Sequence, residues 1–227
     1  MNPRDALLAR VHAPDTEVPT DRARIVAVAD LPTRFGDFQI AAFRDPLDAT
    51  GGEHVALVHG RVDGVGEVTV RLHSECLTGD AFGSLRCDCR DQLEAALTRI
   101  SEQPCGVLIY LRQEGRGIGL VNKVRAYALQ DAGLDTVDAN LALGFRDDER
   151  DYAVAARMLA ALGVDRVRLM TNNPKKIDQL RANGVEVVGR LEHTLPPNPH
   201  NRAYLLTKQH RSGHLLKLRP EPGDPPE

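Results

Sequence analysis

The chain has 227 residues, 42% hydrophobic and 27% charged, with a formal net charge of -3, four cysteines and no tryptophan. Such values suit one globular catalytic domain and give no reason to expect a nucleic-acid or anionic-membrane partner, so any anion site must be local. No apolar run approaches the ~18 residues of a membrane span, and the start, MNPRDALLARVHAPDTEVP, lacks the apolar stretch of a signal peptide. The expectation is a cytoplasmic protein whose cysteines are thiols or metal ligands rather than disulfides.

Residues 1–22 are polar and aperiodic and read as a flexible N-terminal extension; 23–218 form one catalytic domain, and 219–227 (RPEPGDPPE) a disordered Pro-rich tail. The runs at 54–60 (HVALVHG) and 67–73 (EVTVRLH) read as strands joined in a hairpin by VDGVG. Alternation in the second puts Val68, Val70 and Leu72 on one face and Arg71, His73 and Glu75 on the other. Leu93, Ala96, Leu97 and Ile100 then recur at helical spacing.

Next, 106–111 (GVLIYL) is a strand, with Cys105 beside it as a small buried hydrophobe; QEGRGIG is a loop, and 120–132 a helix closed by Gly133. Asp148 suits a cap for the helix carrying Val154, Met158 and Leu162, with Arg150 near its positive end. Residues 166–171 (RVRLMT) form a strand, and Pro174 opens a helix closed by Gly184. Strands alternating with helices predict an α/β domain with a mixed β-sheet and flanking helices.

Three cysteines lie close together in HSECLTGDAFGSLRCDC, where Cys76, Cys87 and Cys89 are spaced C-x10-C-x-C. Three thiolates fill three tetrahedral zinc positions and leave one for water, the catalytic arrangement, since zinc lowers the pKa of bound water towards neutrality. A fourth ligand from His73, His193 or His200 would make the site structural, and unrelated loop cysteines are the bland alternative. The glycines of Q-E-G-R-G-I-G, residues 113–119, let backbone N–H groups approach an anion, and Arg116 suits phosphate. Lys175 and Lys176 stand in the first turn of a helix, where the dipole disfavours cations unless an anion is bound. Together these residues point to zinc-activated hydrolysis of a polyanionic substrate.

The segments RLHSECLTGDAFGSLRCDCRDQLEAAL, YLRQEGRGIGLVNKVRAYALQDAG, GFRDDERDY and LMTNNPKKIDQL together resemble GTP cyclohydrolase II of riboflavin biosynthesis, over roughly residues 24–218. The resemblance implies conversion of GTP to a diamino-phosphoribosylamino-pyrimidinone, formate and diphosphate, with Zn2+ and Mg2+, in a homodimer. By it, Cys76, Cys87 and Cys89 hold zinc, whose water attacks C8 of guanine. Arg71, Leu72, His73, Ser74, Glu75, Gln92, Glu114, Gly115, Arg116, Thr136, Thr171 and Lys176 bind GTP.

By the same resemblance Asp148 is a proton acceptor and Arg150 a nucleophile towards the α-phosphate, while Tyr127 completes hydrolysis after ring opening. A deprotonated arginine is disfavoured in a protein, so the role of Arg150 stays open between nucleophile and electrostatic stabiliser. The alternatives are a variant that stops at the formamidopyrimidine nucleotide and a non-catalytic zinc and nucleotide-binding module.

Overall fold

The computed structural model describes residues 2–11, 22–49, 51–219 and 221. Its seven strands form one sheet in the order β1-β2-β3-β5-β4-β6-β7. The strands are β1 (Arg24–Thr33), β2 (Gly36–Arg44), β3 (Val55–His59), β4 (Val68–Ser74), β5 (Gly106–Leu111), β6 (Arg166–Met170) and β7 (Glu186–Leu191). From β1 to β5 neighbours run antiparallel, and from β5 to β7 they run parallel. The sheet is therefore mixed, as expected.

The expected 54–73 hairpin does not form, because β5 lies between β3 and β4 and pairs with both. GVLIYL is a continuous apolar run with five of its six residues buried. Such a strand belongs in the middle of a sheet covered on both faces. On one face α2 (Cys89–Ser101) sets Ala96, Leu97 and Ile100 against Phe38, Leu108 and Met170. On the other, α5 (Ala153–Leu162) contributes Val154, Met158, Leu159 and Leu162 to a larger core with Val70, Leu72, Val107 and Ile109. Cys105 packs against that core, half-buried.

Part of the N-terminal segment has regular structure. Pro3–Leu8 is a helix, α1, with Ala6 and Leu7 buried. Asn2 caps it by accepting from Arg4 N and Asp5 N, and Pro3 sits where its missing N–H costs nothing. Six residues are too few to show a periodicity. Residues 12–21 lie outside the described residues, as do 220 and 222–227 of the expected tail.

The parallel half positions the site. Chain order within it is β5-β4-β6-β7, so the connection from β4 runs to one side through α2 and the later strands lie on the other. Open α/β sheets bind ligands beyond the carboxyl ends of strands at such a reversal. Here those ends are His73 and Ser74 of β4, the loop after Leu111 of β5, and Thr171 to Asn173 after β6. The remaining helices are α3 (Gly119–Asp131), α4 (Thr136–Ala142), α6 (Pro174–Ala182) and α7 (Arg202–His210).

Candidate active site

Two adjoining chambers of about 680 and 690 Å³ open at these strand ends and share Ser74, Cys89, Arg116, Arg150 and Tyr204 as a common wall.

Cys76, Cys87 and Cys89 surround one point in the second chamber, their sulfurs all within 4.8 Å of one another. The Cys76–Cys87 separation is 3.7 Å. Bonds of 2.3 Å at tetrahedral angles put two zinc-bound sulfurs about 3.8 Å apart, so the spacing is compatible with zinc. Local structure gathers the three thiols. Cys76 caps a π-helical turn, Leu77–Ala81, with its sulfur accepting from Gly79 N at 3.4 Å, while Cys89 is the first residue of α2.

No histidine joins the cluster among the described residues. His73 Nε2 instead lies 3.1 Å from both carboxylate oxygens of Asp80, and His193 Nε2 meets Gln92 O at 2.8 Å. Asp80 also accepts from Cys76 N at 3.0 Å and from the Tyr110 hydroxyl at 2.8 Å. One carboxylate thus orients a metal-compatible thiol and a histidine whose Nδ1 is buried without a partner.

Lys123, to which the sequence reading assigned no role, stands 3.1 Å from Cys76 Sγ and 2.7 Å from Glu114 Oε1. Hydrogen bonds from Cys87 and Cys89, and Lys123 beside it, hold the Cys76 thiol well below the usual thiol range despite burial. The hydrogen bond with Cys76, together with burial, pushes Cys87 up to about 11. A metal takes thiol ligands in their deprotonated form, and the Lys123 ammonium favours that form of Cys76. Glu114 is fully engaged, accepting from Lys123, Leu77 N and Gly115 N. The signal for Lys123 was its spacing, one helical turn before Tyr127. The Tyr127 hydroxyl lies 3.2 Å from Thr78 Oγ1, and Thr78 Oγ1 lies 3.7 Å from Cys76 Sγ.

The first chamber is cationic, lined by Arg71, Arg116, Arg150, Lys176 and Lys208 with Asp88 the one carboxylate on its wall among the described residues. Arg71 donates to Met170 O at 3.0 Å and to Gln92. Burial lowers its pKa to about 10, and its Nε is buried without a partner. Lys176 donates to Leu72 O at 2.7 Å, and burial, reinforced by Arg71 and Arg150, depresses it well below an ordinary lysine. Two buried cations without a carboxylate partner among the described residues leave a demand for negative charge that a bound anion would meet.

Of the expected nucleotide contacts, Arg71, His73, Ser74, Gln92, Arg116, Thr171 and Lys176 line the cationic chamber. Glu75, Glu114, Gly115 and Thr136 line the thiol chamber, as does Tyr127, expected as a catalytic residue. Leu72 lines neither; its side chain is in the core, and only its carbonyl reaches the site, through Lys176. Gly115 and Arg116 adopt positive φ of 63° and 60°, free for the glycine but strained for Arg116, whose guanidinium meets Asp147 and Ser212.

Asp148 does not cap α5, which begins at Ala153; Asp151 Oδ1 receives Ala153 N instead. Asp148 faces Arg150, accepting from Nε at 2.8 Å, Nη2 at 2.7 Å and the backbone N at 3.1 Å. A residue two positions away along the chain, offering a two-pronged donor, outcompetes a helix end four residues away. Burial opposes ionisation of Asp148, but Arg150 outweighs it and holds the pKa below the usual carboxylate value. Burial likewise opposes charge on Arg150, yet Tyr152 and Asp148 bind its proton more tightly than usual.

Thiols arranged for a divalent metal, opening onto a cationic chamber at the switch point of an α/β sheet, suit a hydrolase acting on a polyanionic substrate. Residues 23–192 match the sequence model of the GTP cyclohydrolase II family. The chain is 56% identical over 195 residues to GTP cyclohydrolase-2 of Proteus mirabilis, covering 86% of this chain and 97% of that one. It is 57% identical to that of Citrobacter koseri over 191 residues, 84% and 96% of the two chains. With that of Azotobacter vinelandii the identity is 58% over 191 residues, 84% and 91%. The chain belongs to the GTP cyclohydrolase II family, hydrolases of riboflavin biosynthesis.

Proposed function

We propose that this chain carries the GTP cyclohydrolase II reaction through to formate and diphosphate, with one zinc ion on Cys76, Cys87 and Cys89 and Mg2+ on the substrate phosphates. The observation that carries the reading is the wall shared by the two chambers, where Cys89 and Arg150 face both the thiol centre and the cationic chamber. Such a wall lets one nucleotide present its base to the thiols and its phosphates to the cations. When bound, zinc supplies Lewis acidity and an activated water for opening the imidazole ring at C8.

The protein's own groups do the rest. Arg71 and Lys176 receive phosphate charge, which offsets their burial. Arg150, held in a fork by Asp148, stabilises charge on the α-phosphate as diphosphate leaves; it is an electrostatic group rather than a nucleophile. Burial raises the Tyr127 pKa, so its hydroxyl remains a neutral donor beside the thiols, placed to move a proton during formamide hydrolysis. Asp148, ionised and engaged on both oxygens, acts by fixing Arg150.

A homodimer in the cytoplasm completes the reading. Leu120, Val121 and Val124 of α3 and Leu141 of α4 are exposed apolar side chains that a second copy would cover. No helix among the described residues is long and apolar enough to cross a membrane.

Two outcomes test this reading. A mass spectrum after incubation with GTP should be dominated by the deformylated pyrimidine, and Tyr127→Phe should shift it towards the formylated product. A formylated product from the unaltered protein would contradict the proposal. Gly79→Ala should weaken zinc binding by about 10–100-fold, a typical loss for a disturbed ligand shell, as read by chelator competition. The added Cβ would stand 2.8 Å from Cys87 Sγ and 3.1 Å from Cys76 Sγ, too close for either sulfur to keep its place.

A further inference from the structure

The family match ends at residue 192, yet the cationic chamber is closed by the segment that follows. Tyr204 of α7 walls both chambers, and Lys208, His214 and Leu216 line the cationic one. The segment is tied down at several points. Leu205 and Leu206 are buried, Ser212 Oγ donates to Asp147 Oδ2 at 3.0 Å, and Leu215 N donates to Asn172 O at 2.8 Å. It therefore spans the site from the glycine loop to the start of α6.

Within this segment Lys208 has a distinctive position. Its side chain is 12% exposed, and Nζ donates to Asp88 Oδ1 at 3.0 Å while lying 4.2 Å from the centre of the Tyr204 ring. Asp88 sits between two of the metal-compatible thiols and also receives Gln92, which in turn receives Arg71. An ammonium has three donors, of which Asp88 takes one and the Tyr204 hydroxyl a second, leaving one for a ligand. The chamber Lys208 faces also holds Arg71 and Lys176, neither of which has a carboxylate partner among the described residues.

We propose that Lys208 is a phosphate-binding residue of the nucleotide site, delivered by the C-terminal segment that covers the cationic chamber. The inference rests on the GTP reading above and extends it to residues beyond the family match. A lysine that served only to hold Asp88 would support the site as a whole. One that contacts phosphate distinguishes ligands by charge.

The test measures GTP turnover with inorganic triphosphate or guanosine as competitive inhibitors, in excess Mg2+, for unaltered protein, Lys208→Met and Lys208→Arg. Loss of a charge-assisted contact should weaken triphosphate inhibition about tenfold in Lys208→Met. Guanosine inhibition should change by less than about twofold, and Lys208→Arg should restore most triphosphate inhibition, since the charge is kept. Unchanged triphosphate inhibition, or equal losses for both inhibitors, would overturn the proposal. Should Lys208→Met fail to fold by circular dichroism, Lys208→Gln, which keeps a donor for Asp88, takes its place. Calorimetric titration with triphosphate alone tests the lysine even if the unaltered protein leaves GTP intact, an outcome that would reject the GTP reading separately.

Discussion

Cys89→Ser is expected to abolish zinc binding and ring opening together while leaving the fold in place. Cys89 opens α2, and its sulfur completes a cluster otherwise reduced to Cys76 and Cys87. A serine oxygen is a harder and poorer zinc ligand. Lewis-acid assistance supplies several kcal/mol of transition-state stabilisation, and at about 1.36 kcal/mol per tenfold its loss lowers turnover by about a thousandfold or more. The helix itself should persist, because Ala96, Leu97 and Ile100 anchor it in the core independently of the thiols. Zinc content, circular dichroism and formate release report the three parts. A variant that loses zinc but still releases formate would reject the catalytic role of the centre, as the non-catalytic module requires.

Arg150 should produce the second largest effect. Arg150→Met removes a buried cation at the wall common to both chambers and should lower kcat by about 10²–10³, the usual cost of losing one preorganised charge-stabilising donor. It also strands Asp148, whose side chain is 8% exposed, so stability should fall by about 3 kcal/mol. Arg150→Lys keeps the charge and one contact to Asp148 but loses the fork, and should retain much of the activity. Rates and thermal melts of the two variants separate these effects. If Arg150→Lys is as inactive as Arg150→Met with GTP binding intact, charge stabilisation alone does not describe the residue.

Local pattern and tertiary placement contributed differently to what could be foreseen. GVLIYL, RVRLM and PKKIDQLRA announce their elements because a continuous apolar strand, an alternating strand and a Pro-initiated helix have local causes. The hairpin of β1 and β2 gives a weaker signal. A bulge between Ile25 and Ala27 breaks the alternation, and β1 has only one buried residue. The pairing of β5 between β3 and β4 depends on which strand needs two covered faces, a comparison across the whole chain rather than within a turn.

The site divides in the same way. The cysteine spacing already suggested a cluster of three thiols, which the fold brings together, whereas nothing in DDERDY shows that Asp148 prefers Arg150 to the helix end. Lys123 and Lys208 were missed because a lysine in a helical pattern ordinarily reads as solvated surface. Only folding brings their ammonium groups to Cys76 and Asp88.

The most direct test of the central claim is a zinc titration of the metal-free protein against GTP labelled with 13C at C8, in the presence of Mg2+ and followed by NMR. The label should appear as formate at a rate that rises with zinc and levels off near one ion per chain. Label that remains in guanine at full zinc occupancy, or formate whose release is indifferent to zinc, would contradict the account.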